Sequence, residues 1–302
     1  IIPALEKCPA ISIAGIYFRT PSKYKLDKYP VYSNYIDALQ DNDVDCIYIS
    51  SPNSNHFKHS HEALSYGKHV VCEKPLATDY NDFQALVEYA LKMRKFIFES
   101  FMFEHHSQYN ELKKILQEPK NGNIKSLTAR FGYPHKPSSN IRYDRSLGGG
   151  AYFDTACYLS KVTSLLLGSD YDKISASITK APGYEVDTEG SCLIQFKSGA
   201  TAIWDWGMGR SYRNEIDIWT ENCKISADRF FSKRCELETT IDLKHSHGDV
   251  TMFNITAMDH FQEMFVGFLN IINNPTNYKT YLQSLKSHQK LYFAVYSTLE
   301  EK

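Results

Sequence analysis

The sequence lacks the features that mark disulfide-stabilised, zinc-binding and nucleic-acid-binding proteins. Its seven cysteines are an odd number, spread along the chain without a CxxC pair, which argues against a disulfide framework and a zinc site. Lysine plus arginine (34) nearly equals aspartate plus glutamate (35), so no strong field favours nucleic acid or an anionic membrane surface. The charge balance favours a small-molecule ligand, and the cysteine pattern favours a reducing compartment.

Long apolar stretches are also absent. No run approaches the roughly 18 apolar residues of a membrane span. The chain starts at Ile1 without a basic region followed by a long apolar stretch, so no secretory signal is predicted. His105-His106 and the run His245 to His247 have no acids or cysteines at ligand spacing. We therefore expect a cytoplasmic protein without a metal site.

The first third of the chain alternates strand-like and helix-like segments. Short apolar runs rich in β-branched residues predict buried strands, and the segments between them have helical periodicity. This alternation predicts an α/β domain with a parallel sheet covered on both faces. The predicted strands are Ile11 to Phe18, Cys46 to Ser50, His69 to Cys72 and Phe96 to Glu99, and the predicted helices are Tyr35 to Leu39, His56 to Tyr66 and Tyr80 to Met93.

The pattern changes near Phe103 to Tyr109. Ser198-Gly199 predicts a hairpin turn between two strands, so the second sheet should be mostly antiparallel. We expect a first domain over residues 1–104 and an α+β domain with an open sheet over residues 105–302. In this second domain the predicted strands are Ile124 to Tyr133, Ile174 to Thr179, Gly190 to Phe196, Ala200 to Trp206, Asn214 to Trp219 and Cys223 to Ala227, and the predicted helices are Gly150 to Leu167, Ala257 to Ile272 and Tyr281 to Leu299.

Two polar clusters follow strands of the parallel sheet, at the edge where such sheets bind ligands. Arg19 comes directly after the first strand, and an arginine there suits the 2'-phosphate of NADP, whereas an acid would suit NAD. The run Ser51 to His56, which includes Asn53, follows the second strand and opens a helix, so its donors suit a phosphate or ribose. A solvated arginine and a plain helix cap remain the alternatives.

Glu73, Lys74 and Pro75 end the third predicted strand. Because proline restricts the residue before it, the direction of Lys74 is largely fixed. A lysine in such a crevice can bond a substrate oxygen and, when partly desolvated, take part in acid-base chemistry. A surface ion pair at a strand end is the alternative.

The triple glycine Gly148 to Gly150 precedes a predicted helix that carries Asp154 and Tyr158. Glycines allow the backbone to approach a ligand closely. Asp154 and Tyr158 are four residues apart and therefore share one helix face, where an acid and a phenol can position and protonate an oxygen. The alternative is that Asp154 serves the helix dipole and Tyr158 packs in the core.

Together these motifs resemble the Gfo/Idh/MocA family, the glucose-fructose oxidoreductase and inositol dehydrogenase superfamily. The resemblance implies a Rossmann domain that binds NAD(P), a C-terminal open-sheet domain that typically forms dimers, and a sugar or cyclic polyol bound between them. We therefore expect NADP, with NAD as the alternative, and a homodimer or higher homo-oligomer. The matching runs are Ile47 to His56, Gly67 to Ala77, Phe98 to Met102 and Gly148 to Tyr158.

The resemblance also implies roles for single residues. Lys74 would contact the substrate and the nicotinamide ribose, and Asp154 and Tyr158 would complete the acid-base site. Tyr158 stands where some members have histidine, and a tyrosine there is similar to the glucose-fructose oxidoreductases, dihydrodiol dehydrogenases and sugar 3-ketoreductases. The implied reaction is hydride transfer between nicotinamide and a secondary alcohol or ketone carbon. The expected cofactor contacts are Arg19, Ser51, Asn53, His56, Glu73 and Lys74, and Arg142 is an expected substrate contact.

One part of the family pattern is missing. Members begin with a strand and a GxGxxG-type loop, but the first glycine here is Gly15, inside the next predicted strand. In family members the first strand is central in the sheet, and the loop after it holds the pyrophosphate. Because both are missing here, we expect that the sequence lacks N-terminal residues. The alternative class is a catalytically degenerate member that binds a sugar or serves in assembly. The missing loop favours that class, and Lys74, Asp154 and Tyr158 oppose it.

Overall fold

The computed structural model describes residues 1–20 and 28–300, and its strands form two sheets. The strands are β1 (Cys46–Ile49), β2 (His69–Glu73), β3 (Ile97–Ser100), β4 (Ile124–Tyr133), β5 (Tyr171–Thr179), β6 (Glu189–Phe196), β7 (Thr201–Met208), β8 (Arg213–Thr220), β9 (Cys223–Asp228), β10 (Thr239–His245) and β11 (Val250–Ile255). The helices are α1 (Ile2–Glu6), α2 (Tyr35–Gln40), α3 (His56–Ser65), α4 (Tyr80–Met93), α5 (Ser107–Gln117), α6 (Cys157–Leu167), α7 (His260–Ile272) and α8 (Pro275–Glu300). The predicted combination of a parallel and a mostly antiparallel sheet is confirmed.

The first sheet is parallel, with strand order β1-β2-β3. Its strands are short and apolar, and Val70, Val71 and Cys72 in the middle strand are fully buried. Such runs belong to parallel sheets whose faces are both covered by helices. The carboxyl ends of the three strands therefore lie along one edge, where Lys74 follows β2.

The predicted strand Ile11 to Phe18 is not formed as a strand. Ile16 makes only an isolated parallel bridge with Val31, through hydrogen bonds to the neighbours of Val31. An extended segment becomes a strand only when a neighbour bonds it over several residues, and the described residues supply such a neighbour at Ile16 alone. The prediction of a strand over Ile11 to Phe18 is therefore wrong, except for the bridge at Ile16.

The second sheet has eight strands in the order β11-β10-β9-β8-β4-β7-β6-β5. All neighbours are antiparallel except β4 and β7, which run parallel. Its inner face covers α6, and Trp204 anchors the contact because its indole Nε1 donates to Thr163 Oγ1 at 2.8 Å. The sequence prediction missed β10 and β11, since β10 mixes threonine, aspartate and lysine with its apolar residues and β11 is a largely exposed edge strand.

The predicted helix Gly150 to Leu167 begins differently. Tyr152–Ala156 forms a π-helical turn, and the α-helix α6 starts only at Cys157. Gly148 and Gly150 have φ values of +75° and +119°, which side-chain-bearing residues rarely adopt. The glycines therefore let the chain turn sharply into the helix, and the wider turn after them carries Asp154.

Helices α7 and α8 close the chain. The helix α8 begins at Pro275, six residues before the predicted start at Tyr281, and packs against α6 and α4. Proline suits a first helical turn because its missing N–H would have no helical partner there. Among the described residues, no helix is both long enough and apolar enough to cross a membrane.

Candidate active site

Lys74 lies at the carboxyl end of β2, before a cis peptide bond to Pro75. Its side chain is 12% exposed. The Nζ atom donates to the main-chain oxygen of Asp154 at 2.6 Å and lies 3.1 Å from Oδ1 of the same residue. The structure thus brings together the two motifs that the sequence placed in separate domains.

Asp154 receives hydrogen bonds from three side chains. Besides Lys74, Arg142 Nε donates to Oδ2 at 2.8 Å, and the Tyr133 hydroxyl donates to the same oxygen. Burial would raise the pKa of Asp154, but the charges of Lys74 and Arg142 outweigh it and hold this pKa well below its ordinary value. Asp154 is therefore an ionised carboxylate.

The negative charge of Asp154 in turn determines the protonation state of Lys74. Burial would lower the pKa of Lys74, but the neighbouring Asp154 carboxylate reverses the effect and raises it. Lys74 is therefore an ammonium group. A buried ion pair of this kind needs further hydrogen bonds to offset desolvation, which Tyr133 and Arg142 supply.

Tyr158 lies beneath this ion pair. The Lys74 ammonium is 4.9 Å from the centroid of its ring, and the ring packs edge-on against Phe101 and Phe131. Its hydroxyl lies 3.8 Å from the Met102 sulfur. Burial raises the pKa of Tyr158, and Lys74 opposes that effect only in part. The phenol therefore keeps its proton at neutral pH.

The triple glycine joins the two halves of the site. A Cβ atom on Gly148 would lie 2.9 Å from the Asn53 side chain, and Asn53 Nδ2 donates to the Gly148 carbonyl at 2.9 Å. A Cβ atom on Gly150 would lie 2.3 Å from Asp187 Oδ1. The other carboxylate oxygen of Asp187, Oδ2, accepts the Tyr152 N–H at 2.7 Å. Only glycine fits these contacts, so the loop after β1 and the π-helical turn can approach each other.

The residues expected to bind a cofactor lie mainly around the bend of residues 74–76 that follows β2, which we call the Lys74 turn. Ser51 Oγ lies 3.1 Å from His59 Nδ1, and Glu73 accepts the Tyr48 hydroxyl. His56 is buried, with its ring nitrogens 2.7 Å and 2.8 Å from the carbonyl oxygens of Pro75 and Ser51. Arg19 is exposed and follows the Ile16 bridge along the chain. Each cofactor assignment stays a prediction, and His56 is placed to support the turn.

Two residues of the site were missed by the sequence interpretation. Tyr133 ends β4 and Asp187 precedes β6, and polar residues at strand ends were the available signal. Burial raises the pKa of Asp187 to about 6. Arg142, expected to contact substrate, bonds Asp154 in this structure and keeps a partly exposed guanidinium. Within the described part of the chain, no group of three metal-ligating residues comes together.

This arrangement can exchange a proton with a substrate oxygen. A phenol and an ammonium group are both able to donate a proton to an oxygen, and here the Asp154 carboxylate holds the ammonium in place. Backbone and small polar groups at the carboxyl ends of β1 and β2 suit a dinucleotide, as expected for a parallel sheet. The chemistry of these groups therefore fits a nicotinamide cofactor beside Lys74.

Comparison with known proteins gives two family matches. Residues 2–101 match the model of an oxidoreductase family with an NAD-binding Rossmann fold. Residues 109–226 match the model of the C-terminal domain of the same GFO/IDH/MocA group. The matched regions meet between β3 and α5, where the sequence pattern also changes.

Individual relatives are similar over most of the chain. The dTDP-3,4-didehydro-2,6-dideoxy-alpha-D-glucose 3-reductase of Saccharopolyspora spinosa is 30% identical over 91% of this chain and 84% of its own. The enzyme of the same name from Actinomadura kijaniata is 29% identical over 90% and 82%. The structure of a 3-ketoreductase from Actinomadura kijaniata in complex with NADP and TDP-benzene superposes with a TM-score of 0.90 at 27% identity, covering 98% of this chain and 92% of that one.

We predict that Asp154→Asn lowers the pKa of Lys74. The substitution removes the charge that offsets burial at the ammonium group. NMR titration of the labelled lysine side chain measures this pKa directly. Tyr133→Phe is the matched control, because it removes a hydrogen bond to Asp154 and leaves the charge. An unchanged Lys74 pKa in Asp154→Asn would contradict the electrostatic account.

Proposed function

This chain belongs to the Gfo/Idh/MocA family of NAD(P)-dependent oxidoreductases, and from this premise we propose that it reduces a keto group on a sugar ring with NADPH. The observation that carries the proposal is the contact of Lys74 with both Asp154 and the ring of Tyr158. A carbonyl carbon that accepts a hydride needs a proton donor at its oxygen. Lys74, Asp154 and Tyr158 together supply that donor. The reverse reaction would use the same groups.

The roles of the three residues follow from their charge states. When bound, NADPH supplies the hydride, and the chain has to supply the proton and the orientation. Tyr158 donates its proton to the oxygen that gains charge as the carbonyl is reduced. Lys74 stabilises the resulting phenolate and hydrogen-bonds the substrate, because it stays charged. Asp154 holds Lys74 in place and balances its charge.

We propose a nucleotide-linked sugar as the substrate. The relatives named above are reductases of a dTDP-sugar, and the solved relative holds TDP-benzene. On this chain, Arg142 is partly exposed beside Asp154, and the Lys136 ammonium lies 5.0 Å from the centroid of the Tyr133 ring. Lys136 is exposed and the Arg142 side chain is partly exposed, so both cations are accessible and suit a diphosphate.

For the cofactor we propose NADP, held by the residues expected from the sequence. Arg19 would meet the 2'-phosphate, Ser51 and Asn53 the phosphates and ribose, and Glu73 and Lys74 the nicotinamide end. NADP is present in the solved relative. His56 would support this region through the Pro75 and Ser51 carbonyls rather than touch the cofactor.

We further propose a homodimer in the cytoplasm. The outer face of the large sheet carries exposed apolar side chains on different strands, among them Leu193, Ile203, Trp219 and Met252. Exposed apolar groups shared by one face favour a protein partner, and a second copy is the simplest one. A reducing location fits the seven cysteines, which form no disulfide.

NADPH consumption tests the reaction. We expect turnover with a keto sugar linked to dTDP, and slower turnover with the free keto sugar. Lys74→Ala and Tyr158→Phe should lower kcat about 100-fold, the usual contribution of a proton donor and its support. Lys58→Ala, an exposed lysine on α3, is the control. Sugar binding without any NADPH consumption would favour the catalytically degenerate alternative.

Cofactor choice is tested at Arg19. We expect Arg19→Ala to weaken NADPH binding about tenfold and to leave NADH binding unchanged, because one charge-assisted contact to the 2'-phosphate is lost. Fluorescence titration measures both dissociation constants. Lys92→Ala removes an exposed charge on α4 as the control. Equal losses for NADPH and NADH would place the 2'-phosphate elsewhere.

The dimer is tested on the outer sheet face. Ile203→Lys should shift the protein toward a monomer of about 34.7 kDa, because a buried ammonium at the centre of an interface is costly. Sedimentation velocity reports the change. Tyr66→Lys replaces an exposed aromatic residue away from the sheet as the control. A parent protein that sediments as a monomer would refute the proposal.

A further inference from the structure

Glu99 is a buried acid close to the Lys74 turn. It lies in β3 and is 3% exposed. Its Oε1 atom accepts the backbone N–H of Leu76 at 2.8 Å. Leu76 is two residues after Lys74, so the hydrogen bond between Glu99 and Leu76 links Glu99 to the segment that carries the lysine.

The opposite side of Glu99 is occupied by the last helix of the chain. Gln289 Nε2 lies 3.0 Å from both carboxylate oxygens, and His288 Nδ1 lies 3.3 Å from Oε2. The hydroxyl of Tyr281 accepts the backbone N–H of Glu99 at 2.7 Å. Three residues of α8 therefore hold Glu99 in one place.

The charge of Glu99 suits this position. Burial would raise the pKa of Glu99, but His288 and the Leu76 N–H outweigh burial and lower it. An ionised carboxylate only accepts hydrogen bonds. It can therefore satisfy Leu76 and Gln289 together, which a neutral carboxylic acid or an amide would do less well.

The Lys74 turn is held at two successive groups. His56 Nδ1 lies 2.7 Å from the Pro75 carbonyl oxygen, and Glu99 accepts the next N–H, that of Leu76. We propose that Glu99 is a positioning residue, which through Leu76 fixes where the Lys74 ammonium meets Asp154 and Tyr158. The α8 helix thereby supports the site through Glu99, which Tyr281, His288 and Gln289 contact. The catalytic part of this inference rests on the proposed function.

A nearby acid offers a matched control. Glu104 is paired with the buried Lys161 at 3.0 Å, and its pKa is also lowered, since Lys161 outweighs burial. Its recorded partner lies on α6 and not in the turn after β2. Glu104→Gln therefore perturbs a neighbouring buried acid, which shares the influence of Lys161 and His288 with Glu99, and keeps the acceptor of the Leu76 N–H.

The kinetic test compares these two acids. Glu99→Gln keeps an oxygen for Leu76 but turns an amide N–H₂ toward the donors of α8, so we expect kcat to fall about tenfold. Glu99→Leu removes the bond, and the displaced lysine should cost about 100-fold in kcat. The NADPH dissociation constant should stay within about twofold of the parent's. Glu104→Gln should leave kcat within about twofold.

A charge swap provides a rescue experiment. In Glu99→Gln with Gln289→Glu, the amide oxygen at position 99 can accept the Leu76 N–H, and its N–H₂ group can donate to the new carboxylate. We expect the double variant to recover most of the kcat lost in Glu99→Gln. If position 99 needed a carboxylate only for its charge, the double variant would not recover the lost kcat.

Hydrogen exchange gives a readout that does not depend on turnover. The peptide that contains Leu76 should exchange faster in Glu99→Leu than in the parent, and at the parental rate in Glu104→Gln, with melting temperatures recorded for each variant. Unchanged exchange at Leu76 in Glu99→Leu, or equal loss of kcat in Glu99→Gln and Glu104→Gln, would overturn the inference. A parent without turnover that still shows the exchange difference would refute the proposed function and leave the positioning of the turn intact.

Discussion

The ion pair between Lys74 and Asp154 is the contact on which the site depends. It joins the end of the parallel sheet to the π-helical turn before α6, and it fixes the charge of both partners because each opposes the effect of burial on the other. Tyr133 and Arg142 complete the hydrogen bonds of the carboxylate, and Tyr158 packs beneath the ammonium. The close approach of the two segments also explains the triple glycine, since Asn53 and Asp187 occupy the space that side chains would need.

The sequence allowed much of this architecture to be predicted, for identifiable reasons. Strands β1, β2 and β3 are short apolar runs ended by polar residues. Helix α4 was predicted with its observed bounds from its helical pattern, and the structure shows Asp79 capping its first turn. The family resemblance, based on motifs and their order, is confirmed. The wide turn at Tyr152–Ala156 could not be predicted, because a single π-helical turn is too short to leave a periodicity of its own in the sequence and depends on tertiary packing.

Contacts between distant segments were beyond the sequence for a different reason. Tyr133 is an ordinary strand-end aromatic residue until the fold places it against Asp154, and Glu99 is an ordinary strand acid until α8 covers it. Arg142 was expected to contact substrate, which stays a prediction, and the bond of its guanidinium to Asp154 could not be derived from the sequence. Such roles arise from partners up to 190 residues away, as for Glu99 and Gln289, and no local pattern encodes the pairing.

The shortest bond of the Lys74 ammonium goes to the main-chain carbonyl of Asp154, at 2.6 Å, and not to its carboxylate. A peptide carbonyl is present whatever residue stands at position 154, so part of the lysine's anchorage is independent of the side chain there. A substitution at position 154 would therefore remove the carboxylate's share of the lysine's anchorage and leave the share that the main chain supplies. The position of the lysine and the charge around it therefore depend in part on different groups, the first on the peptide backbone and the second on the side chain.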